Sequence, residues 1–314
     1  MSDYFNSTQY GIKNDVERYV YGGWLVFVAL CALLGDTVIL VSSIKYNAFK
    51  IHEIVTAFIQ HMAVCDLLTV AGNILPITVS LICDSEGSSS ILNYFRFSVN
   101  FYLHSVSSFL ISAMTLGKLI LLIHPLRTVS WSKMQAHKFS AGIWATLTCV
   151  PVLHLFIDKD DVVFDYRVYA FMYKYSSKLW DILSPIFVLL TFFLPNIITV
   201  VSTILLLKEA KAVAREARQT LRWQGIMAVI LTAIINTLSL LPIVTYTIVG
   251  RILKDPHPFH EEFYRVAYSA LYANVLAHFF VMNLTVASFR GLLKSKLRQI
   301  AFLLTGKVTP IGKL

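Results

Sequence analysis

Residues 54–83 read IVTAFIQHMAVCDLLTVAGNILPITVSLIC, a run with one formal charge, Asp66. A helix needs about 20 mainly apolar residues to cross a hydrocarbon core roughly 30 Å thick, because each residue rises about 1.5 Å. This run meets that length with residues to spare. It is apolar on all sides rather than along one stripe, which is the pattern of a helix in lipid and not of one lying on a water-exposed core. The aspartate in its middle must then face other helices, since hydrocarbon penalises every unsatisfied polar group.

Working outward, the same reading finds six more spans at 21–44, 93–123, 139–157, 179–207, 224–249 and 263–288. The expected fold is all-α, a seven-transmembrane helix bundle. The chain is 56% hydrophobic and 14% charged, with mean hydropathy +0.66, whereas soluble domains run about 45–50% apolar and about 25% charged. The third, fifth and seventh spans are richer in polar residues, as expected of helices that face one another. No internal repeat is visible, which counts against an inverted-repeat transporter.

The net charge of +9 is concentrated at span ends and is not interleaved with aromatics on a soluble face, which excludes nucleic acid as a partner. Lys45, Lys50, Arg127, Lys133, Lys138 and Lys208 fall on one side, whereas Asp84, Glu86, Asp158, Asp160, Asp161, Glu261 and Glu262 fall on the other. The positive-inside rule therefore predicts an external N-terminus. Residues 1–20 have no apolar signal-peptide core, so the first span is expected to direct insertion. Asn6-Ser7-Thr8 is a sequon, which makes Asn6 a candidate glycosylation site on that outer segment.

The expected organisation is an extracellular N-terminus at 1–20, the seven-span region at 21–288, and a cytoplasmic amphipathic helix and tail at 289–314. In that last segment Phe289, Leu292, Leu293, Leu297, Ile300 and Leu304 draw an apolar stripe beside Arg290, Lys294, Lys296 and Arg298. Such a short eighth helix lies in the interface with membrane lipids as its partner. Lys208, Lys211, Arg215, Arg218 and Arg222 recur every three or four residues, which predicts a basic helical extension of the fifth span. It serves either an acidic partner and anionic headgroups or only the insertion rule.

Asp36 and Asp66 fall at mid-membrane on adjacent helices. Two such carboxylates cannot comfortably both ionise, so they form a candidate site for a cation such as sodium or for a proton, against the plainer reading of a neutral hydrogen-bonded pair. His61, His104, His154 and His278 lie in spans, without HExxH or i, i+4 spacing, and are read as packing or pocket-lining residues. Cys31, Cys65, Cys83 and Cys149 show no ligand spacing. No constellation supports catalysis, and no organic cofactor is implied.

Several motifs resemble those of the rhodopsin-like receptors that couple to G proteins. Gly35-Asp36 is similar to that family's first-span Gly-Asn pair. Met62-Ala63-Val64-Cys65-Asp66-Leu67-Leu68 resembles its Leu-Ala-x-Ala-Asp-Leu-Leu, with Asp66 at the sodium-holding position. Ile123-His124-Pro125-Leu126-Arg127 resembles its second cytoplasmic loop, and Trp144, Pro195, Pro242 and Phe289-Arg290 occupy further marker positions. The resemblance covers roughly residues 35–297. It implies a plasma-membrane receptor for an extracellular ligand, chemosensory or peptide, that couples to a heterotrimeric G protein through Lys118, His124, Pro125, Lys211, Arg215 and Arg218.

The same alignment places Asn100 where amine receptors carry an aspartate, and the seventh span lacks the lysine that retinal needs. Asn100, Tyr102, His104, Tyr246, Tyr268 and Tyr272 are read as the neutral polar and aromatic lining of an outer ligand cavity. Elsewhere the switch motifs depart from the family. The Asp-Arg-Tyr position reads Gly117-Lys118-Leu119, Cys-Trp-x-Pro reads Ser239-Leu240-Leu241-Pro242, and Asn-Pro-x-x-Tyr reads His278-Phe279-Phe280-Val281-Met282. No cysteine pair matches the family's outer disulfide. With its acid partner missing from the motif, Lys118 is expected to lack a lock, giving raised basal activity or weak coupling. The rival reading is a non-signalling receptor-like scavenger or dimer partner.

Overall fold

The computed structural model describes residues 15–46, 53–83, 90–124, 131–157, 162–165, 170–173, 186–216, 220–253 and 261–305. Helix α1 spans Asp15–Lys45. Helix α2, Glu53–Thr69, runs through a π turn at Val70–Ile74 into α3, Leu75–Cys83. Then come α4, Ser90–Ile123, and α5, Lys133–Ile157. A second π turn at Leu189–Phe193 leads into α6, Leu194–Glu216, followed by α7, Thr220–Leu253, α8, Glu261–Thr285, and α9, Ala287–Thr305.

Among the described residues five helical stretches are long and apolar enough to cross a membrane: Val16–Lys45, Glu53–Ile82, Asn93–Ile123, Ile186–Lys211 and Trp223–Thr245. The bent pair Glu262–Thr285 and Ala287–Gln299 makes a sixth if counted as one span. Helix α5, the expected fourth span, is not among them; its first turns carry Lys133, Gln135, His137 and Lys138. The faces turned outward are apolar, with Leu34 and Ile44 each 70% exposed and Leu284 67%, whereas Asp36 is fully buried. That inversion of the soluble pattern identifies a multi-pass membrane protein built as a helical bundle.

Two local features depart from a plain all-α bundle. Between α5 and α6 an antiparallel hairpin pairs β1, Val162–Asp165, with β2, Ala170–Tyr173, in the register Val162 to Tyr173 and Asp165 to Ala170. Its short alternating segment packs on α4, and the apolar-run reading passes over such a segment. Each π turn ends two residues before a proline, Pro76 and Pro195. Proline lacks an N–H and crowds the carbonyl four residues earlier, and a widened turn accommodates both defects without breaking the span.

Helix α4 is central, touching α2, α5, α6 and α7, while α1 packs on α2, α3 and α8. The α1–α8 contact is close: a Cβ added at Gly35 would stand 2.8 Å from Cβ of Phe279. Only glycine admits that approach.

Helix α8 ends at Thr285, three residues before the expected boundary at 288, and α9 leaves it at 98°. Arg290 donates to the exposed carbonyls of Asn283 at 3.4 Å and Leu284 at 3.1 Å, satisfying groups that a helix C-terminus leaves open. Phe289, read as part of the lipid-facing stripe, is instead fully buried against Phe279 with ring centroids 6.1 Å apart. It anchors α9, whereas Leu297 is 56% exposed and continues the stripe.

Candidate functional site

The apolar core is in two parts, and the boundary between them is polar. On α1 the buried run Leu25, Val28, Ala29 and Ala32 belongs to one part and Ile39 to the other, with Asp36 between. On α2 the change falls between Cys65 and Val70, where Asp66 and Thr69 lie. On α7 it falls between Ala233 and Leu240, where Asn236 lies, and on α8 between Leu276 and Val281, where His278 lies. Four helices thus contribute polar side chains to one buried layer.

The strongest contact in the layer joins Nδ1 of His278 to Oδ2 of Asp66, both residues being 3% exposed. Asp36 lies near Asp66, yet among the described residues neither of its carboxyl oxygens has a hydrogen-bond partner. Nε2 of His278 also lacks one. One turn along α8, Asn274 donates to Oδ1 of Asn236 at 3.1 Å, and from the π turn of the α2–α3 span Asn73 donates to Oδ1 of Asn100 at 2.7 Å. Tyr272 lies beside Asn73. Buried polar groups left open in this way mark a place for a proton, an ion or ordered water.

Asp36 and Asp66 do come together, but not as a simple pair. The seventh-span histidine expected to serve as packing supplies Asp66 with its partner, so the bare carboxyl is that of Asp36. For a sodium ion the fit is partial: Asp36 presents unpaired oxygens, whereas the oxygen of Asp66 that would join it is engaged by an imidazole.

The expected ligand set is divided. Asn100 and Tyr272 meet through Asn73, and Tyr268 stacks near Tyr272 at 6.0 Å between centroids. His104 is buried, and its Nε2 has no hydrogen-bond partner among the described residues. Tyr102 turns the other way: its hydroxyl donates to the Trp144 carbonyl at 3.0 Å and lies 3.0 Å from the Thr148 hydroxyl, with its ring edge-on to Trp144. It clamps α4 to α5, because its position on α4 faces the α5 side. Among the described residues the best-formed concavity is a shallow groove of about 450 Å³ beside the Glu17–Arg265 ion pair, between the start of α1 and α8. The side chain of Tyr246, like Asn6, lies outside the described residues.

Lys118 is half-buried near the end of α4 and takes part in interactions there, so the expectation of an unheld ammonium does not stand. His124 and Lys211 are exposed. Helix α6 runs past its apolar part to Glu216, carrying Lys208 and Lys211 outward on a regular helix, as the spacing predicts. Pro125, Arg218 and the side chains of Arg215 and Arg222 lie outside the described residues.

A second pair of histidines escaped the sequence reading. Nε2 of His61 on α2 and Nδ1 of His137 on α5 are 3.1 Å apart. Burial first, and then the neighbouring Lys133 charge, hold the His137 imidazole below its usual range. Nothing in the spacing of residues 61 and 137 announces this contact. The Asp66 stripe did carry a signal, since Asp66, Thr69 and Asn73 fall at helical spacing, as do Asn274 and His278.

No protein-family model matches the chain, and no curated protein matches it.

Proposed function

We propose that the chain is a seven-helix receptor of the rhodopsin-like kind, sitting in the plasma membrane with its N-terminus outside. In this reading α5 is the fourth span and the bent α8–α9 pair supplies the seventh span and the interfacial helix. An outer ligand shifts the bundle between two packings, and a heterotrimeric G protein reads the inner ends of α4, α6 and α7. A ligand moves such an equilibrium only by its difference in affinity for the two states.

The observation that carries the proposal is the buried layer of Asp36, Asp66, Asn236 and His278, which ties α1, α2, α7 and α8 together at mid-bundle. A purely structural membrane bundle has no use for unpaired carboxyl oxygens at its centre, because they cost stability. A bistable element does, since such groups change partners cheaply when helices shift. The Asp66 motif and the His124-Pro125 loop provide the family resemblance, and the basic helix beyond α6 provides a surface for an acidic partner.

The test is G-protein recruitment in cells expressing the intact chain, comparing wild type with Lys118→Ala at equal surface labelling. Recruitment that the substitution abolishes supports a signalling receptor with a rebuilt switch. A second reading, the non-signalling scavenger or dimer partner, is favoured by the rewritten Gly117-Lys118-Leu119 motif and by Tyr102 facing away from the bundle centre. It becomes the better account if wild type recruits nothing across a broad ligand panel.

A further inference from the structure

Away from the polar layer, the seam between α2 and α5 is built of four rings. Phe58 meets Phe139 edge-on at 6.4 Å between centroids, and one turn along α2, His61 meets His137 at 5.2 Å with their planes tilted by 56°. Phe58 and His61 are three residues apart on α2, and His137 and Phe139 two apart on α5, so both imidazoles are carried by regular helices on an aromatic base. Sites on rigid elements hold geometry better than sites on loops. Both histidines are partly exposed at the side of the bundle.

The separation of the facing nitrogens is informative. They stand 3.1 Å apart. Two imidazole nitrogens bound to one ion at about 2.0–2.1 Å, at angles between about 90° and 109°, stand about 2.9–3.4 Å apart. The pair already has the spacing of neighbouring ligands on a single metal. One ring donates its N–H to the other, and when that ring takes its other tautomer both facing nitrogens present lone pairs to a common point. The hydrogen bond and a shared ion are alternative uses of the same two atoms.

We propose that His61 and His137 form a two-imidazole site for a nitrogen-preferring divalent transition-metal ion, Zn²⁺ or Cu²⁺, which staples α2 to α5. No group of three or more histidine, cysteine or acidic residues suited to a metal occurs among the described residues, so water completes the coordination. The site is therefore an exchangeable, modulatory one rather than a closed structural one. On binding the ion, the ring that donates the hydrogen bond carries its proton on its other nitrogen instead, by exchange with solvent, so both rings stay neutral and no net proton is released. No redox change is involved.

The experiment titrates the full chain, purified in detergent, with Cu²⁺ and records electron paramagnetic resonance. A parallel thermal unfolding series uses Zn²⁺. Wild type is expected to show a saturable signal with hyperfine coupling to two imidazole nitrogens and a Zn²⁺-dependent rise in Tm. His137→Gln, at a partly exposed position where folding should persist, is expected to lose both, and His61→Gln likewise. A two-nitrogen signal that survives either substitution, or a Zn²⁺ effect on Tm equal in all three proteins, would overturn the proposal by placing the ion on other histidines.

Discussion

Two seams of the bundle are built on opposite principles. Where α1, α2 and α8 meet, helices approach as closely as Gly35 allows and bury Asp36, Asp66 and His278, with open polar atoms left over. Where α4 meets α5 and α6, key buried hydroxyls find partners, although those of Ser107, Ser108, Ser140 and Thr203 have none among the described residues. Ser112 donates to the Pro195 carbonyl at 2.6 Å and lies 2.8 Å from the Thr199 hydroxyl, and Tyr102 is held by Trp144 and Thr148. Satisfied hydroxyls fix a contact, whereas ionisable groups with spare capacity allow it to change. The first seam is the one to associate with function and the second with rigidity.

If that contrast is right, the largest effect follows from removing His278. His278→Ala leaves Asp66 buried without its partner, and breaking a buried pair from one side costs about 3–5 kcal/mol. Thermal unfolding in detergent should show it. Asp66→Leu combined with His278→Leu should recover most of the loss, because the desolvated charge disappears with its partner. A double variant as unstable as the sum of the single ones would mean that the two groups do not act as a pair.

Close packing predicts the next effect. A Cβ at residue 35 would overlap Phe279, and overpacking a well-filled core costs about 1–3 kcal/mol. Gly35→Ala should therefore lower Tm, and Phe279→Ala added to it should relieve part of the clash. Additive losses in the double variant would show that the two helices do not meet there.

At the other seam the expected changes are smaller. Ser112→Ala removes a buried hydroxyl that joins α4 to α6 and should cost about 1 kcal/mol. Tyr102→Phe keeps the edge-on ring contact with Trp144 and loses only a partly exposed hydroxyl bond, for about 0.5 kcal/mol. Neither substitution should alter signalling at matched expression. A signalling change from Ser112→Ala larger than that from His278→Ala would reverse the assignment of function and rigidity to the two seams.

Much of this frame is legible in the sequence because lipid makes its demands locally: length and all-round apolarity define a span wherever it falls. The long apolar helices found among the described residues, the helical extension of α6 past its apolar part and the burial of Asp36 and Asp66 all follow from that. What escapes is what depends on rotation about each helix axis. Tyr102 and His104 are two residues apart on α4, and only packing against α5 decides that the first leaves the bundle centre while the second stays buried. The partnership of Asp66 with His278 joins residues 212 apart in sequence, and local spacing carries no information about which helix returns beside which. The hairpin at Val162–Asp165 and Ala170–Tyr173 was passed over because hydropathy windows of span length do not resolve strands of four residues.

The most direct measurement reconstitutes the intact chain in lipid nanodiscs with purified heterotrimeric G proteins and follows guanine-nucleotide exchange, comparing wild type with Asp66→Asn. The account predicts that wild type accelerates exchange on at least one G-protein class and that Asp66→Asn, folded to the same extent, changes that rate. No acceleration by wild type on any class, with ligand panels applied and folding verified, would contradict the receptor reading and leave a membrane bundle whose central polar layer serves another purpose.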